Sequence, residues 1–449
     1  MKSFDVLVIG SGMAGNTIAN RCGASGLKTA ISDSRPYGGT CALRGCDPKK
    51  ILIGATEIVD RKNKMVGKGL QGSISINWAD LMQYKNEFTS NVPANLEKGY
   101  SRNGVVMYHG EATFTNNNSV RVGDEIIDAS KIVIATGARP ATLNFSGGDH
   151  AIDSTAFLDL EMLPKEIVFI GGGYIAMEFS HLAARAGSYV TILHRGSIPL
   201  ERFETFTVEH LVTATKKLGV TIEVNSEVME ITQTGNRFVV TVENSKENTE
   251  YRVECDLVVN STGRVPDLES LDLESAGVIY SSKGVEVNEF LQSTSNPKVY
   301  VAGDSAASGG SPLTPVAVME GHIVSSNIIK GNSKIPDYRE MPSAVFTLPT
   351  LASVGYTEVQ AQEKGLDFKV KSAAVPNWYN ARRINEDTYA YKTLVGANGE
   401  VLGAHLIGPH AEEMINMFAI AIKSNLKAVD LKSLVYAYPS MTSDIASMV

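Results

Sequence analysis

Two glycine-built strand–turn–helix phrases, each closed further along by a strand and a Thr-Gly turn, predict an α/β chain with two nucleotide-binding units. A third segment, alternating short strands with one amphipathic helix, predicts a C-terminal α+β domain. The length of 449 residues leaves room for several domains. Charged residues at 20% and apolar ones at 43% exclude a disordered or fibrous chain. The 41 Lys+Arg against 49 Asp+Glu leave a net charge of -8, which argues against a nucleic-acid surface. There is no apolar run near 18 residues, and the opening Phe4-Asp5-Val6-Leu7-Val8-Ile9-Gly10 is too short for a signal peptide or membrane span. A cytoplasmic protein that contacts no membrane and no nucleic acid is expected.

The first phrase is a buried-strand pattern, residues 6–9, running into Gly10-Ser11-Gly12-Met13-Ala14-Gly15 and a helix pattern over residues 16–22. A second strand, residues 29–32, ends at Asp33, 23 residues beyond Gly10. This is Rossmann-like spacing: the glycines admit a pyrophosphate at the helix N-terminus and the carboxylate takes ribose hydroxyls. A single such match is weak. It recurs as residues 167–170 leading into Gly171-Gly172-Gly173-Tyr174-Ile175-Ala176, with a helix pattern on to Ala186. The same count from Gly171 lands on His194, followed by Arg195, with Arg202 nearby. A carboxylate would repel a 2′-phosphate and arginines attract one, so the second unit is expected to prefer NADP to NAD.

Between the units a helical stretch is expected over residues 50–97, then strands ending in Ala135-Thr136-Gly137. The second unit closes with Ser261-Thr262-Gly263, and Ala302-Gly303-Asp304 returns the chain to the first. The predicted domains are 1–140 (first part of the first nucleotide-binding unit), 141–267 (second nucleotide-binding unit), 268–338 (return to the first unit) and 339–449 (a separate α+β domain, with a helix over residues 412–424).

Four cysteines argue against a structural disulfide framework. Cys41 and Cys46 lie five apart, eight residues past Asp33. A structural zinc needs a second ligand pair, and neither Cys22, Cys255 nor the eight histidines offer one at motif spacing, so no metal is expected. Redox chemistry is the better reading. Cys22 and Cys255 read as core thiols, and His181 and His322 as packing or surface residues.

The phrases Gly39-Thr40-Cys41 through Gly45-Cys46-Asp47-Pro48-Lys49-Lys50, Gly173-Tyr174-Ile175-Ala176-Met177-Glu178, Thr262-Gly263-Arg264-Val265-Pro266, Ala302-Gly303-Asp304 and Leu313-Thr314-Pro315-Val316-Ala317 stand in order along nearly the whole chain. They resemble the flavoprotein pyridine nucleotide-disulfide oxidoreductases, the family of glutathione reductase, dihydrolipoamide dehydrogenase and mercuric reductase. The resemblance implies FAD held by Gly10, Ser11, Gly12, Met13, Ala14, Gly15, Asp33, Ser34, Gly39, Thr40, Lys50, Ala112, Thr136, Gly137, Arg264, Gly303, Asp304 and Thr314. Asp33 would take its adenosine ribose and Asp304 its ribitol side. It implies NADP on Gly171, Gly173, Tyr174, Ile175, Glu178, Arg195, Arg202 and Gly263. It further implies a redox-active Cys41-Cys46 disulfide, with Cys46 the flavin-contacting thiolate and Cys41 the interchange thiol. Lys49 and Glu178 would be the ion pair beside the flavin, Tyr174 the ring over the nicotinamide site, and the protein a homodimer.

The ending departs from the family. A His-Pro-Thr-x-x-Glu phrase supplies the acid/base for the thiols in its disulfide reductases, and here the stretch is Tyr438-Pro439-Ser440-Met441-Thr442-Ser443-Asp444. Tyrosine is a poor base at neutral pH but can donate a proton or hydrogen bond. Arg44 and Asp47, in a loop that is commonly apolar in the relatives, pull a nearby thiol in opposite directions. The expected activity is NADPH-dependent reduction of a small-molecule disulfide or other thiol-reactive acceptor, glutathione reductase-like. A metal-ion or quinone reductase is the alternative, although Ser447-Met448-Val449 carries no cysteine pair for delivering a metal. A redox-sensing flavoprotein is the reading of another class.

Overall fold

The computed structural model describes residues 2–449, and Met1, the start of the predicted first domain, lies outside the described residues. The chain divides into two compact units: Met1–Lys49, Tyr84–Ala141 and Arg264–Tyr338 form one, and Lys50–Gln83, Thr142–Gly263 and Arg339–Val449 the other.

The first unit is built on a mixed sheet. Val106–His109, Thr29–Asp33, Lys2–Ile9 and Glu125–Ile134 lie side by side in parallel, and Val299–Val301 adds in parallel to Glu125–Ile134. Ser119–Val122 and Ala112–Asn116 continue it in antiparallel fashion. Val6, Leu7 and Val8 are all at most 1% exposed, as a parallel strand covered on both faces requires. The helix Met13–Ala24 buries Ala14, Gly15, Ile18, Ala19 and Cys22, a helical stripe facing the sheet. Helix Thr314–Lys330 packs against it through Gly321, where an added Cβ would meet the Ala14 carbonyl at 3.0 Å. Burial pushes the Cys22 thiol up to about 12.

The helical stretch expected over residues 50–97 is interrupted. Helices run Cys46–Lys64, Trp78–Thr89 and Val92–Arg102. Gly67, Gly69 and Gly72, at φ 73°, 105° and 80°, adopt the left-handed region that breaks helical continuity between the first two.

In the second unit Thr221–Glu223, Tyr189–Leu193, Glu166–Ile170 and Leu257–Asn260 form a parallel sheet, flanked by the antiparallel meander Ser226–Thr234, Arg237–Asn244 and Thr249–Cys255. Helix Tyr174–Arg185 buries Phe179, which stacks on Phe157 at 4.5 Å. The C-terminal portion is a five-stranded antiparallel sheet backed by helix Ala411–Lys423, which presents Met414, Ile415 and Phe418 to the core.

One polar cluster is sunk in this unit. Arg185 donates to Asp60 at 2.7 Å and to the Leu348 carbonyl at 2.9 Å, while Lys64 bridges Asp60 at 2.8 Å and Glu386 at 2.5 Å. His181 completes it: its Nδ1 accepts from the Leu348 N–H at 3.1 Å, which leaves Nε2–H to donate to Thr215 Oγ1 at 2.9 Å. Burial, then the charges of Arg185 and Lys64, hold His181 well below its ordinary value. Above about pH 6.5 both folded and unfolded His181 are neutral; below it the unfolded chain takes up a proton that the folded one refuses. Unfolding free energy is therefore expected to fall by about 1.4 kcal/mol per pH unit below 6.5 on account of this one group. Comparing denaturation of the wild type with His181→Gln between pH 7.5 and 5 checks it, because the variant should lack that share of the slope; parallel curves would refute the assignment.

Candidate functional site

The first glycine phrase forms a cradle that side chains would fill. A Cβ on Gly10, at φ 100°, would meet the Ala135 carbonyl at 2.3 Å, and one on Gly15 would meet the Gly10 carbonyl at 1.9 Å. Gly39, at φ 65°, lies so close to Gly12 that a Cβ would reach its Cα at 2.4 Å. Gly12 precedes the helix Met13–Ala24 with no side chain capping the N-terminus, so the first N–H groups are left for an anion. The Oγ1 of Thr136 is buried without a partner among the described residues, and Gly137 follows at φ 72°. An uncapped helix, glycines that keep a path open and an orphaned hydroxyl fit a bound dinucleotide.

Asp33 closes the other side at the end of its strand. The Ser11 N–H and hydroxyl donate to its Oδ2 at 2.8 and 2.6 Å, and the Arg35 N–H to its Oδ1 at 2.9 Å. Ser11 in turn accepts from the Gly38 N–H at 3.1 Å, tying the two glycine turns together. Ser34 is exposed beside them. Ala112, by contrast, sits in the apolar core of the sheet, 4% exposed. Lys50 is salt-bridged to Glu57 at 2.6 Å and lies over the Phe346 ring.

Gly303 and Asp304 form a single turn at the end of strand Val299–Val301. A residue missed in the sequence positions it: the Gly303 N–H donates to Glu320 Oε2 at 2.6 Å, while the Ser308 and Tyr338 hydroxyls donate to Oε1 at 2.7 and 2.5 Å. Burial, with the Asp304 charge also raising it, pushes the Glu320 carboxyl above its usual range. Asp304 is likewise raised by burial, opposed by Arg264. Arg264 bonds the Ala138 carbonyl and reaches Thr40 Oγ1 at 3.5 Å. The sequence signal for Glu320 was a lone carboxylate inside the apolar run Val316-Ala317-Val318-Met319 and Gly321.

The two central cysteines are brought together. Cys41 lies in the short helix Gly39–Arg44, and Gly45 turns the chain so that Cys46 begins helix Cys46–Lys64. Both are thiols in the structure. The Cys46 Sγ faces Thr314 Oγ1 at 3.6 Å, the first residue of helix Thr314–Lys330, and the Cys41 Sγ faces Asp47 Oδ1 at 3.9 Å. The hydrogen bond with Cys46, burial and the Asp47 charge raise the Cys41 thiol, and Thr314 opposes them. Cys22 and Cys255 are both 0% exposed, apart from this chemistry.

In the second unit a Cβ on Gly171, at φ 102°, would meet the Ser261 carbonyl at 2.6 Å, and Gly173 precedes helix Tyr174–Arg185 without a side-chain cap. This is the same cradle. Tyr174 is 46% exposed, while Glu178, on the first turns of the helix, is buried and accepts from the Phe346 N–H at 2.8 Å. Gly263 is at φ 137°. Arg195 and Arg202 are exposed beyond the strand Tyr189–Leu193. His194 is buried, its Nε2 bonded to the Ile198 carbonyl at 2.8 Å and 3.4 Å from Glu201. Glu201 is a carboxylate that spacing alone did not place there: the Gly196 turn brings it back against the strand end, where a Cβ on Gly196 would meet its Oε1.

In the same unit Tyr438 is 74% exposed and stacks on Tyr379 at 6.2 Å. Asp444 is turned inward, accepting from Tyr389 Oη at 3.1 Å and Asn380 Nδ2 at 3.0 Å, and Ser443 donates to the Ser440 carbonyl. Neither therefore serves Tyr438 within the chain.

Residues 4–321 match the family model of pyridine nucleotide-disulphide oxidoreductases, and residues 341–449 that family's dimerisation domain. The chain is 31% identical over 448 residues to a glutathione reductase of Burkholderia cepacia, covering 99% of this chain and 98% of that one. To a dihydrolipoyl dehydrogenase of Staphylococcus aureus it is 32% identical, covering 97% and 94%. A solved Cu(II) complex of the HOCl-induced flavoprotein disulfide reductase RclA from Escherichia coli superposes with a TM-score of 0.89 at 28% identity, over 100% of this chain and 99% of that one. Among the described residues no helix is long and apolar enough to cross a membrane. With its paired cradles, its dithiol and these matches over nearly every residue, the chain belongs to the class I pyridine nucleotide-disulfide oxidoreductase family.

Proposed function

We propose that this flavoprotein oxidises NADPH and reduces a small disulfide, or a related thiol-reactive molecule, through Cys41 and Cys46, acting as a cytoplasmic homodimer. The observation that carries the proposal is the placement of both thiols against one another, in the unit that also holds the Gly10–Gly15 cradle and the Gly303-Asp304 turn. The family is FAD-dependent and uses a pyridine nucleotide. The chemistry FAD supplies when bound is two-electron transfer from reduced nicotinamide to a disulfide. Gly10, Gly12, Gly15, Asp33, Thr136 and Asp304 would hold it.

The thiols then do the exchange. The Cys41 sulfur attacks the substrate S–S bond, forming a mixed disulfide and releasing one thiol. The Cys46 thiolate attacks the Cys41 sulfur, re-forming the Cys41-Cys46 disulfide and releasing the second thiol, so two electrons and two protons reach the substrate. Lys49 and Glu178 are assigned to the flavin side, Tyr174 to covering the nicotinamide site, and Tyr438 to donating a proton to a departing thiolate. Arg195 and Arg202 support NADPH through attraction of a 2′-phosphate, and Glu201, close by, opposes it. The domain limits 1–140, 141–267, 268–338 and 339–449 belong to the same reading.

A second reading, reduction of a metal ion, is favoured by one observation, the Cu(II) complex of the RclA relative.

Anaerobic titration of the purified holoenzyme with NADPH is expected to give a long-wavelength thiolate–flavin charge-transfer band. Steady-state NADPH oxidation against glutathione disulfide, other small disulfides, Hg(II), Cu(II) and quinones should then single out a disulfide. No band would overturn the dithiol reading, equal efficiency with NADH would overturn the cofactor preference, and turnover with Cu(II) or Hg(II) alone would establish the second reading.

A further inference from the structure

We infer that Asp47 fixes the position of the proton in the reduced pair, keeping it on Cys41 and leaving the thiolate on Cys46. The inference rests on the dithiol reading of Cys41 and Cys46 and deepens it.

The geometry is asymmetric. The Cys41 Sγ has a carboxylate oxygen, Asp47 Oδ1, at 3.9 Å, within reach of an S–H donor. An ionised carboxylate can only accept, so the contact is satisfied when Cys41 carries the proton and becomes a repulsion when it does not. Cys46 stands in the opposite surroundings. It is the first residue of the 19-residue helix Cys46–Lys64, where the positive end of the helix favours an anion, and the Thr314 hydroxyl at 3.6 Å can donate to its sulfur. Two sulfurs sharing one proton, one beside a carboxylate and one at a helix N-terminus beside a hydroxyl, place it on the first.

The other groups around Cys41 do not reverse this. Cys46 acts most strongly on it, through their mutual hydrogen bond, and raises it. Burial raises it too, and Thr314 lowers it. Arg44, on the same short helix, and Lys49, on the cysteine helix, are the nearby cations along the chain. Asp47 itself is exposed at the start of its helix, so replacing it leaves packing untouched.

Asp47 is then the chain's own device for a thiol that the C-terminal Tyr438 does not serve as a base. It keeps Cys41 unreactive until a substrate is seated, and it leaves the anion on the sulfur assigned to the flavin.

The test is the pH dependence of alkylation. Holoenzyme reduced anaerobically with a phosphine is treated with iodoacetamide from pH 5 to 10, and each cysteine is quantified by peptide mass mapping. Asp47→Asn is expected to lower the midpoint for Cys41 by about one pH unit, with roughly tenfold faster labelling on the acid side, since a neighbouring charge typically moves a thiol by this order. Asp47→Glu should restore the wild-type midpoint. Repeating the comparison in a Cys46→Ser background removes the partner thiol and should leave an Asp47-dependent shift. An unchanged Cys41 midpoint in Asp47→Asn, in both backgrounds, would overturn the inference. It would do so whether or not the wild type forms a charge-transfer band, so failure of the inference and failure of the dithiol reading are separable.

Discussion

Replacing Cys46 by serine is expected to abolish the long-wavelength band formed on NADPH reduction and to cut disulfide turnover below about 0.1% of wild type, because a hydroxyl can neither form nor re-form the disulfide. Cys41→Ser should lose turnover to the same extent but keep the band, as the sulfur beside Thr314 survives. The two variants thus separate the roles that equal loss of activity would leave merged. FAD content should be unchanged in both, because neither thiol belongs to the glycine cradle. Reduction of an artificial one-electron acceptor by NADPH should persist in both, since it bypasses the cysteines. A Cys46→Ser protein that retained the band would reverse the assignment of the two sulfurs.

Much of this centre was legible because it is local. The turns at Gly10 and Gly171 need glycine for steric reasons that spacing already implies, and Asp33 follows from the length of one helix and one strand. Cys41 and Cys46 are near neighbours on either side of Gly45, so their meeting needs only a turn. What escaped was decided by directions or by distant chain segments. The opposing pulls of Arg44 and Asp47 could not be resolved from composition; the helix start at Cys46 aims the Asp47 carboxylate at Cys41. Glu201 returns to His194 through the Gly196 turn, a closure that periodicity does not report. Asp444, one position late for the family's Glu, spends its carboxylate on Tyr389 and Asn380. His181 read as a packing histidine, but its partners, Leu348 and Thr215, are far along the chain.

Arg185→Met is expected to destabilise the protein by about 3–5 kcal/mol, more than any surface substitution, because it leaves two largely buried carboxylates to share one cation. Arg185 is 6% exposed at its side chain and closes a four-membered cluster in which two cations, Arg185 and Lys64, face two carboxylates, Asp60 and Glu386. Removing one cation strands Asp60 with a half-share of Lys64 and frees the Leu348 carbonyl that Arg185 also serves. The remaining cation cannot compensate. Burial opposes the Lys64 charge, and it is held above its ordinary value only because Glu386 and Asp60 both attract it. Glu386 is already pushed up by burial despite Lys64, so it would take up a proton more readily as that attraction is divided. The double variant Asp60→Asn with Arg185→Met should recover part of the loss, since a neutral amide needs no counter-charge. Denaturant unfolding of the holoenzyme, single against double, reads both terms. A single-variant loss below about 1 kcal/mol would mean the cluster is hydrated enough to behave as a surface ion pair. The consequence reaches function through geometry: helix Tyr174–Arg185 carries Tyr174 and Glu178 at one end and Arg185 at the other, and helix Cys46–Lys64 carries Cys46 and Lys64 in the same way. Because Asp60 and Arg185 join these helices near their C-terminal ends, loosening the cluster should lower the melting temperature and the pyridine-nucleotide affinity together, while the pH midpoint of Cys41 alkylation stays at its wild-type value.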